Sequence, residues 1–591
     1  MKDLFCISVC KLVFLLLIVL STSVKSNATI EFDDYFAIDT ISEVIDTVSV
    51  NTGSNFDSEF LTDSIQSVTD STFQDKKAKK ERKEWVKPTK LETYVFTDSA
   101  LKAQRIFLWN ANHYFNTVEL KQRDTSLSGN RTELPFYKND VGITYLGPTG
   151  SATVFHNYFL RQSSEIMPFF DPYSVYMTTP GEVNFYNTKT PYSDLRYATS
   201  GNKRIAEDNL GVLFTANALP ALNFGISYNR YGAKGSYQNQ TTKDKSFTAF
   251  ASYTGERYVA HAGYIHNAIT NNENGGIYKD TLFTDTVIDP GAIDVSLKTA
   301  RNTLRNNTYF LTHSYGIPLG IFNKHRDSTK LDDGGTMVYF GHSFEYSRYH
   351  RVYTDDASDT LSNLTDPLSG YYDNHYLSKW YGSYDSTFAS QLNNKLFIRL
   401  QPWSSSFWIS NIDAGIGYSF ESYYVFNPAS YLHEQKNNKQ STGYIYGGAS
   451  GIFKKYFQWN AFLNYHFSGY RQNDLLLDVT ARASIYPLPQ GIHLTGRFTF
   501  DNKRPAYFTE NYYSNHFIWK NNFDKTQDTR IQVSLSIPDW KMEAGFNNAL
   551  LTNTIYYGND GTPKQANDVV NITSIYVQKN FKLGLFHFDH R

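Results

Sequence analysis

Cysteine is nearly missing. Cys6 and Cys10 are the only two in 591 residues, and both stand in the extreme N-terminus. With that segment removed the chain has none, which excludes disulfides, thiolate chemistry and Cys-ligated metal. Net charge is small as well, at −1, which argues against nucleic acid as a general partner. No apolar run is long enough to cross a bilayer as a helix. The run from Leu12 to Leu20 is short, is preceded by Lys2 and Lys11, and gives way to Ser21, Ser23 and Ser26. Those flanks mark residues 1–26 as a secretory signal peptide. A lipoprotein signal carries its Cys after the apolar run; Cys10 precedes it, so no lipid anchor is expected.

Familiar catalytic patterns are missing too. There is no P-loop, no zincin helix and no nucleophile elbow. Gly415-Ile416-Gly417 lacks the third glycine of a dinucleotide fingerprint and falls inside a strand pattern. His587 and Asp589 share a strand face, but two ligands do not make a metal site. The expectation is a non-enzymatic protein without a cofactor.

What the chain has in quantity is aromatic side chains. They make up 16% of it, with 45 Tyr and 43 Phe, against 19% charged residues, and the mean hydropathy is still −0.46. Strands with one face in lipid and the other in water produce that mixture.

Residues 27–75 are acidic and hold no Lys or Arg; the sign then flips at Lys76-Lys77-Ala78-Lys79-Lys80-Glu81-Arg82-Lys83. Blocks of this kind are solvated, so 27–90 is read as a disordered periplasmic extension, with docking of a periplasmic partner as the alternative. From about residue 139 the pattern changes to period 2. Ile412, Ala414, Ile416, Tyr418 and Phe420 share one face, and Asp413, Gly415, Gly417, Ser419 and Glu421 the other. Leu222–Asn229, Phe457–Phe467, Leu475–Ile485 and Ile492–Phe500 repeat the split. The runs are roughly 9–12 residues, the length of a tilted transmembrane strand.

Tight turns alternate with long polar stretches. The turns are Gly147–Gly150, Ala218–Pro220, Gly255–Arg257, Pro487–Gly491 and Pro538–Trp540; the stretches are 268–303, 350–394, 422–440, 502–528 and 551–568. Outer-membrane barrels have short periplasmic turns and longer extracellular loops. The fold expected over 91–591 is therefore all-β, a transmembrane antiparallel up-and-down barrel of roughly 16–18 strands.

Several stretches carry a family resemblance. Phe185-Tyr186-Asn187-Thr188-Lys189-Thr190-Pro191-Tyr192-Ser193-Asp194-Leu195-Arg196-Tyr197 is the clearest. Leu146-Gly147 with Gly150-Ser151, Tyr158-Phe159-Leu160-Arg161 and Tyr513-Ser514-Asn515-His516-Phe517-Ile518-Trp519 add to it. Together they resemble the putative porin family of the Bacteroidota, from about residue 91 onward. The resemblance implies an outer-membrane barrel; it implies neither a substrate nor catalytic residues. By that pattern further strands would follow Phe586-His587-Phe588-Asp589-His590-Arg591. A truncated C-terminus would leave the barrel with an unclosed edge.

Charges on the wet strand faces are the candidate pore-lining residues: Glu345, Asp413, Glu421, Asp478, Arg482, His493 and Arg497. Facing lipid at mid-depth, an Arg would cost about 2–4 kcal/mol, and lumen charges set the field that solutes cross. Solvating the interior or pairing with one another is the plainer role. Trp380, Tyr381, Tyr384, Trp403, Trp408, Tyr423 and Tyr424 fall near strand ends, where rings form interface girdles; stacking on sugars is the alternative.

The reading is a porin-like channel in the cell outer membrane that passes small hydrophilic solutes or ions by diffusion. The 268–303 loop is the candidate constriction. Outer-membrane lipid and small solutes are the partners; many porins are homotrimers, but no trimer interface is legible. Two other readings stay open. One is a barrel acting through its loops as a surface-binding or assembly protein. The other is a soluble secreted β-rich carbohydrate-active protein. An occupied lumen separates the first from an open pore.

Overall fold

The computed structural model describes residues 106–590, apart from 112–117, 122–141, 202–204, 256, 279–288, 319–336, 357–370, 378–381, 402–407, 427–437 and 585. The segments read as a signal peptide (1–26) and a charged extension (27–90) lie outside the described residues, as do Trp380, Tyr381 and Trp403.

Five short strands come first: β1 (Ile106–Ala111), β2 (Val118–Lys121), β3 (Ile143–Tyr145), β4 (Thr153–Phe155) and β5 (Phe185–Thr188). Strands β2, β1 and β5 form one small sheet, and β3 and β4 a hairpin. The wall follows with β6 (Tyr192–Thr199), β7 (Asp208–Leu219), β8 (Leu222–Ala233), β9 (Thr242–Thr254), β10 (Tyr258–Asn272), β11 (Arg301–Pro318) and β12 (Met337–Asp355). It continues with β13 (Ser383–Gln401), β14 (Asn411–Val425), β15 (Asn438–Phe453), β16 (Phe457–Gly469), β17 (Leu475–Ile485) and β18 (Ile492–Lys503). A loop hairpin, β19 (Asn511–Tyr513) and β20 (Ile518–Lys520), precedes β21 (Thr526–Ile537) and β22 (Met542–Thr552). A second, β23 (Ile555–Tyr557) and β24 (Pro563–Gln565), precedes β25 (Val570–Leu583) and β26 (Phe586–His590).

Seventeen of these strands form one closed barrel in up-and-down order, with β26 beside β6. The expected unclosed edge is corrected: the short β26 occupies the gap between β25 and β6.

Alternation along the strands does what the sequence pattern requires. On β14, Ile416 is 52% exposed on the outer face, while Asp413 and Glu421 are buried on the inner one. Phe224, Ile226, Phe340, Leu396, Ile398, Ile445, Leu463, Leu494, Ile531, Leu535, Phe546, Ile575 and Val577 continue the exposed apolar belt. Among the described residues no helix is long and apolar enough to cross a membrane, so strands carry the crossing. Inside, small residues lie beneath rings. A Cβ on Gly417 would stand 2.1 Å from the Tyr444 ring, and one on Gly341 2.1 Å from that of Phe397. The Gly415–Gly417 pattern is thus a packing device of the inner face.

Three expectations shift. Strands β10 to β13 run 15 to 19 residues, so the stretches 268–303 and 350–394 shrink to 273–300 and 356–382. Their Asn, Thr and Ser residues look like loop in sequence but pair across strands. Asn267 donates to Asn306 Oδ1 at 3.0 Å, and Thr308 and Ser347 share a hydroxyl bond of 2.9 Å. Gly147–Gly150 joins β3 to β4 and not two wall strands. Tyr423 is no girdle ring: it points inward, 1% exposed, stacked on Tyr507 at 4.4 Å. Tyr384 and Trp408 are exposed, as girdle rings are.

Candidate functional site: an occupied lumen

The described residues of 106–188 supply no wall strand. They lie against the inner faces of β7 to β14 and meet the wall through three kinds of contact. Near the turn end, Trp109, Phe185 and Tyr186 pack with Phe250 and Ile265 of the wall. The Trp109 indole donates to His261 Nε2 at 3.0 Å. Near the loop end, Ile166, Met167, Phe170, Tyr173 and Tyr176 form one core with the wall residues Ile269, Leu304, Ala389 and Tyr423. Phe508, Tyr512 and Trp519 of the loop after β18 complete it. Phe508 and Tyr512 precede the Tyr513–Trp519 segment of the family resemblance, and Trp519 ends it. Asn515 and His516 within that segment are buried and bonded to Ser383, at 2.8 Å and 2.5 Å.

Polar contacts fix the inner element's height and rotation. The Asn267 side chain accepts from Thr178 N at 3.0 Å and donates to Thr178 O at 2.9 Å. Asn271 donates to Gly150 O at 2.9 Å, and the Thr242 hydroxyl to Thr149 O. Across the lumen, the Tyr158 hydroxyl donates to Asp528 Oδ2 at 2.6 Å. The Arg471 guanidinium reaches Glu165 of the inner element, and its Nε lies 3.3 Å from Glu421 of β14. Burial raises the Glu165 carboxyl, but the Arg471 and Lys503 charges outweigh it and hold the group down at about 2. For Asp171 burial wins: it lifts the carboxyl to about 7, against the bond from Ser164 N and the Lys503 charge.

All seven candidate residues stand on inward positions, in separate groups. Glu345 accepts from Ser347 Oγ at 3.3 Å and lines a cavity of about 100 Å³ with Phe185, His261 and Lys395. Asp413 is fully buried opposite Arg399. Glu421 belongs to the Arg471 cluster and accepts from Tyr423 at 2.7 Å. Asp478 is 8% exposed and is bridged to Arg497, 46% exposed, at 2.5 Å. Arg482 is exposed, and His493 is bonded to Ser484 Oγ at 2.8 Å.

Sequence reasoning missed Glu165, Lys395, Arg399 and Arg471. Lys395 and Arg399 were legible: Asn393, Lys395, Phe397 and Arg399 alternate with Leu392, Leu396, Ile398 and Leu400, but the alternation begins inside the stretch 350–394 and was not followed past its end. Arg471 follows the Gly469 turn, and Glu165 sits in irregular chain; neither carries a periodic signal. The candidate constriction also changes. Among the described residues, what lies in the lumen is the inner element of 106–188 with the loop after β18. The described part of 273–300 ties to the neighbouring loop, where Asn239 donates to Glu273 O at 2.8 Å.

Solved structures similar to the chain include the siderophore receptor PirA from Acinetobacter baumannii (8% identity, TM-score 0.44, covering 68% of this chain and 62% of that one). A mutant ferric enterobactin receptor from Pseudomonas aeruginosa (9%, 0.44, 69% and 62%) and the FrpB iron transporter from Neisseria meningitidis (8%, 0.40, 67% and 58%) are also similar. The match spans less than two thirds of the length of each of these. No curated protein matches. The family model described as "Putative porin" matches residues 105–591, which takes in the inner element together with every wall strand. With a closed barrel, an apolar outer belt and that match in hand, the chain belongs to the porin family so described, as an outer-membrane β-barrel.

Proposed function

We propose that the protein conducts small hydrophilic solutes across the outer membrane through a lumen that is closed at rest, and that conduction requires the inner element to move. The observation behind this reading is the shared core of Ile166, Met167, Phe170, Tyr173 and Tyr176 with wall and loop side chains. Burying such a side chain is worth about 1.5–3 kcal/mol, so complete withdrawal of the five costs on the order of 10 kcal/mol. At about 1.4 kcal/mol per decade, spontaneous withdrawal is a rare event, and free diffusion through an always-open pore is disfavoured. A smaller displacement that breaks only the Arg471 and Tyr158 contacts costs far less. Once the path is open, Arg482 and Arg497 lie on its wall and set its field.

Single-channel recording of the full chain in planar bilayers tests this. The unmodified protein is expected to give rare, brief steps. Glu165→Gln with Tyr158→Phe is expected to raise their frequency, and neutralising Arg482 and Arg497 to shift ion selectivity while leaving the step frequency as it is. Continuous large steps from the unmodified protein would overturn closure at rest. Silence from every correctly inserted variant would overturn conduction and favour a binding role for the loops.

A further inference from the structure

We propose that the outward face of β8 to β12, at its loop end, is a binding site for phosphate-bearing lipid headgroups of the outer leaflet. The inference does not rest on the conduction reading. It begins from register. Arg230 pairs with Lys245, Lys245 with Ala268, Ala268 with Arg305, and Arg305 with His350. These five positions make one continuous row across five strands. All fall on outward positions, in step with the exposed Phe224 and Ile226 of β8, Tyr253 of β9, Tyr258 of β10, Tyr309 of β11 and Phe340 of β12. Lys243 and Arg301 stand closer to the loops on the same face, and Arg348 closer to the membrane centre. Arg230, Lys243, Arg301, Arg305 and Arg348 are exposed.

Outward positions of β8 to β13 hold no Asp or Glu over the whole of each strand. The nearest outward carboxylate in the wall is Asp208 on β7, which accepts from Tyr197 at 3.0 Å. Arg348 lies over the Phe388 ring of β13 at 5.3 Å, on the same outward face.

Height supports the same occupant. On the membrane side of the basic row lie two adjoining aromatic runs, Tyr228 paired with Phe247, and Tyr264 with Tyr309 and Tyr346, in which Tyr264 and Tyr309 are 4.8 Å apart. Aromatic belts mark the membrane–water interface, so the cations sit at headgroup level, on the loop side that faces out of the cell. The opposite arc serves as an internal control. There the loop-end outward positions are Asn502, Gln527, Thr529, Asn548, Asn571 and Thr573, all neutral. A girdle that only solvated the rim would be alike all round. A cationic patch concentrated on five neighbouring strands, with Lys439 at the loop end of β15 set apart from it, fits an anionic headgroup bound at one place, because guanidinium pairs bidentately with phosphate.

Native mass spectrometry of the full chain in neutral detergent tests this, with bis-phosphorylated lipid A, the same lipid dephosphorylated, and inorganic phosphate as probes. The unmodified protein is expected to retain the phosphorylated lipid, to lose it as salt is raised, and to retain little of the dephosphorylated lipid. Arg305→Gln with Arg348→Gln is expected to weaken retention roughly thirtyfold, the effect of two cations at a lipid surface. Thr529→Gln on the opposite arc is expected to leave it unchanged. Equal retention of the two lipids, or insensitivity to salt, would overturn the proposal on the unmodified protein alone. Retention of inorganic phosphate without any preference for the phosphorylated lipid would overturn the lipid as its source.

Discussion

The Asn267 carboxamide closes both backbone hydrogen bonds of Thr178, accepting from its N–H at 3.0 Å and donating to its C=O at 2.9 Å. A wall side chain thus takes the place of a strand partner for the inner element. Replacing it with Leu would leave two buried backbone groups unpaired, at about 1–3 kcal/mol each. Asn267→Leu is expected to loosen the inner element without opening the barrel wall. Hydrogen exchange should speed up at Ser174–Thr178 while β9 and β10 stay protected. Uniform loss of protection in both would show that the contact holds the wall instead.

Arg471 connects three elements, and its grip on Glu165 can be removed without unfolding either side. Glu165→Gln leaves Glu421 as the guanidinium's partner at 3.3 Å. A charge-assisted bond contributes about 1.5–3 kcal/mol. The variant is expected to be cleaved faster by protease within 143–188 and to keep the heat-resistant barrel of the parent on gels. Cleavage at the parental rate would mean that the apolar core alone holds the element.

Two carboxyls of the inner element give its stability opposite pH dependences. Glu165 is held down at about 2 from an ordinary 4.5, so its stabilising contribution is present above 4.5 and is lost as pH falls through about 2. Asp171 is raised from 3.8 to about 7. Its folded form binds more protons, so stability falls as pH rises between those values and then levels off. The hold on the inner element is expected to be tightest in mild acid. Asp171→Asn should flatten the decline toward pH 7 in a thermal-denaturation series; a decline of the same slope would assign it to other groups.

The lipid face is tested at Ile416. Placing Arg there sets a charge near mid-depth at a cost of about 2–4 kcal/mol, while Arg482→Ala on the inner face should change stability little. Reversible unfolding in vesicles compares the two. Equal costs would contradict the assignment of the faces.

Alternation of Ile412, Ala414, Ile416, Tyr418 and Phe420 against Asp413, Gly415, Gly417, Ser419 and Glu421 determined a membrane barrel and which side chains face lipid, because successive side chains leave a strand on opposite sides. The turns at Pro487–Gly491 and Pro538–Trp540 determined which end is short. The sequence could not determine what fills the lumen. Inner-face polarity reads the same whether water or another part of the chain lies opposite: Asn267 and Glu421 look like pore residues until Thr178 and Arg471 are placed against them. Phe185–Tyr197 is one continuous segment of the family resemblance, yet only its second half joins the wall. Closure was decided by contacts across more than three hundred residues, such as Tyr158 with Asp528. No local periodicity encodes a partner at that distance; burial of one irregular segment against many strands does.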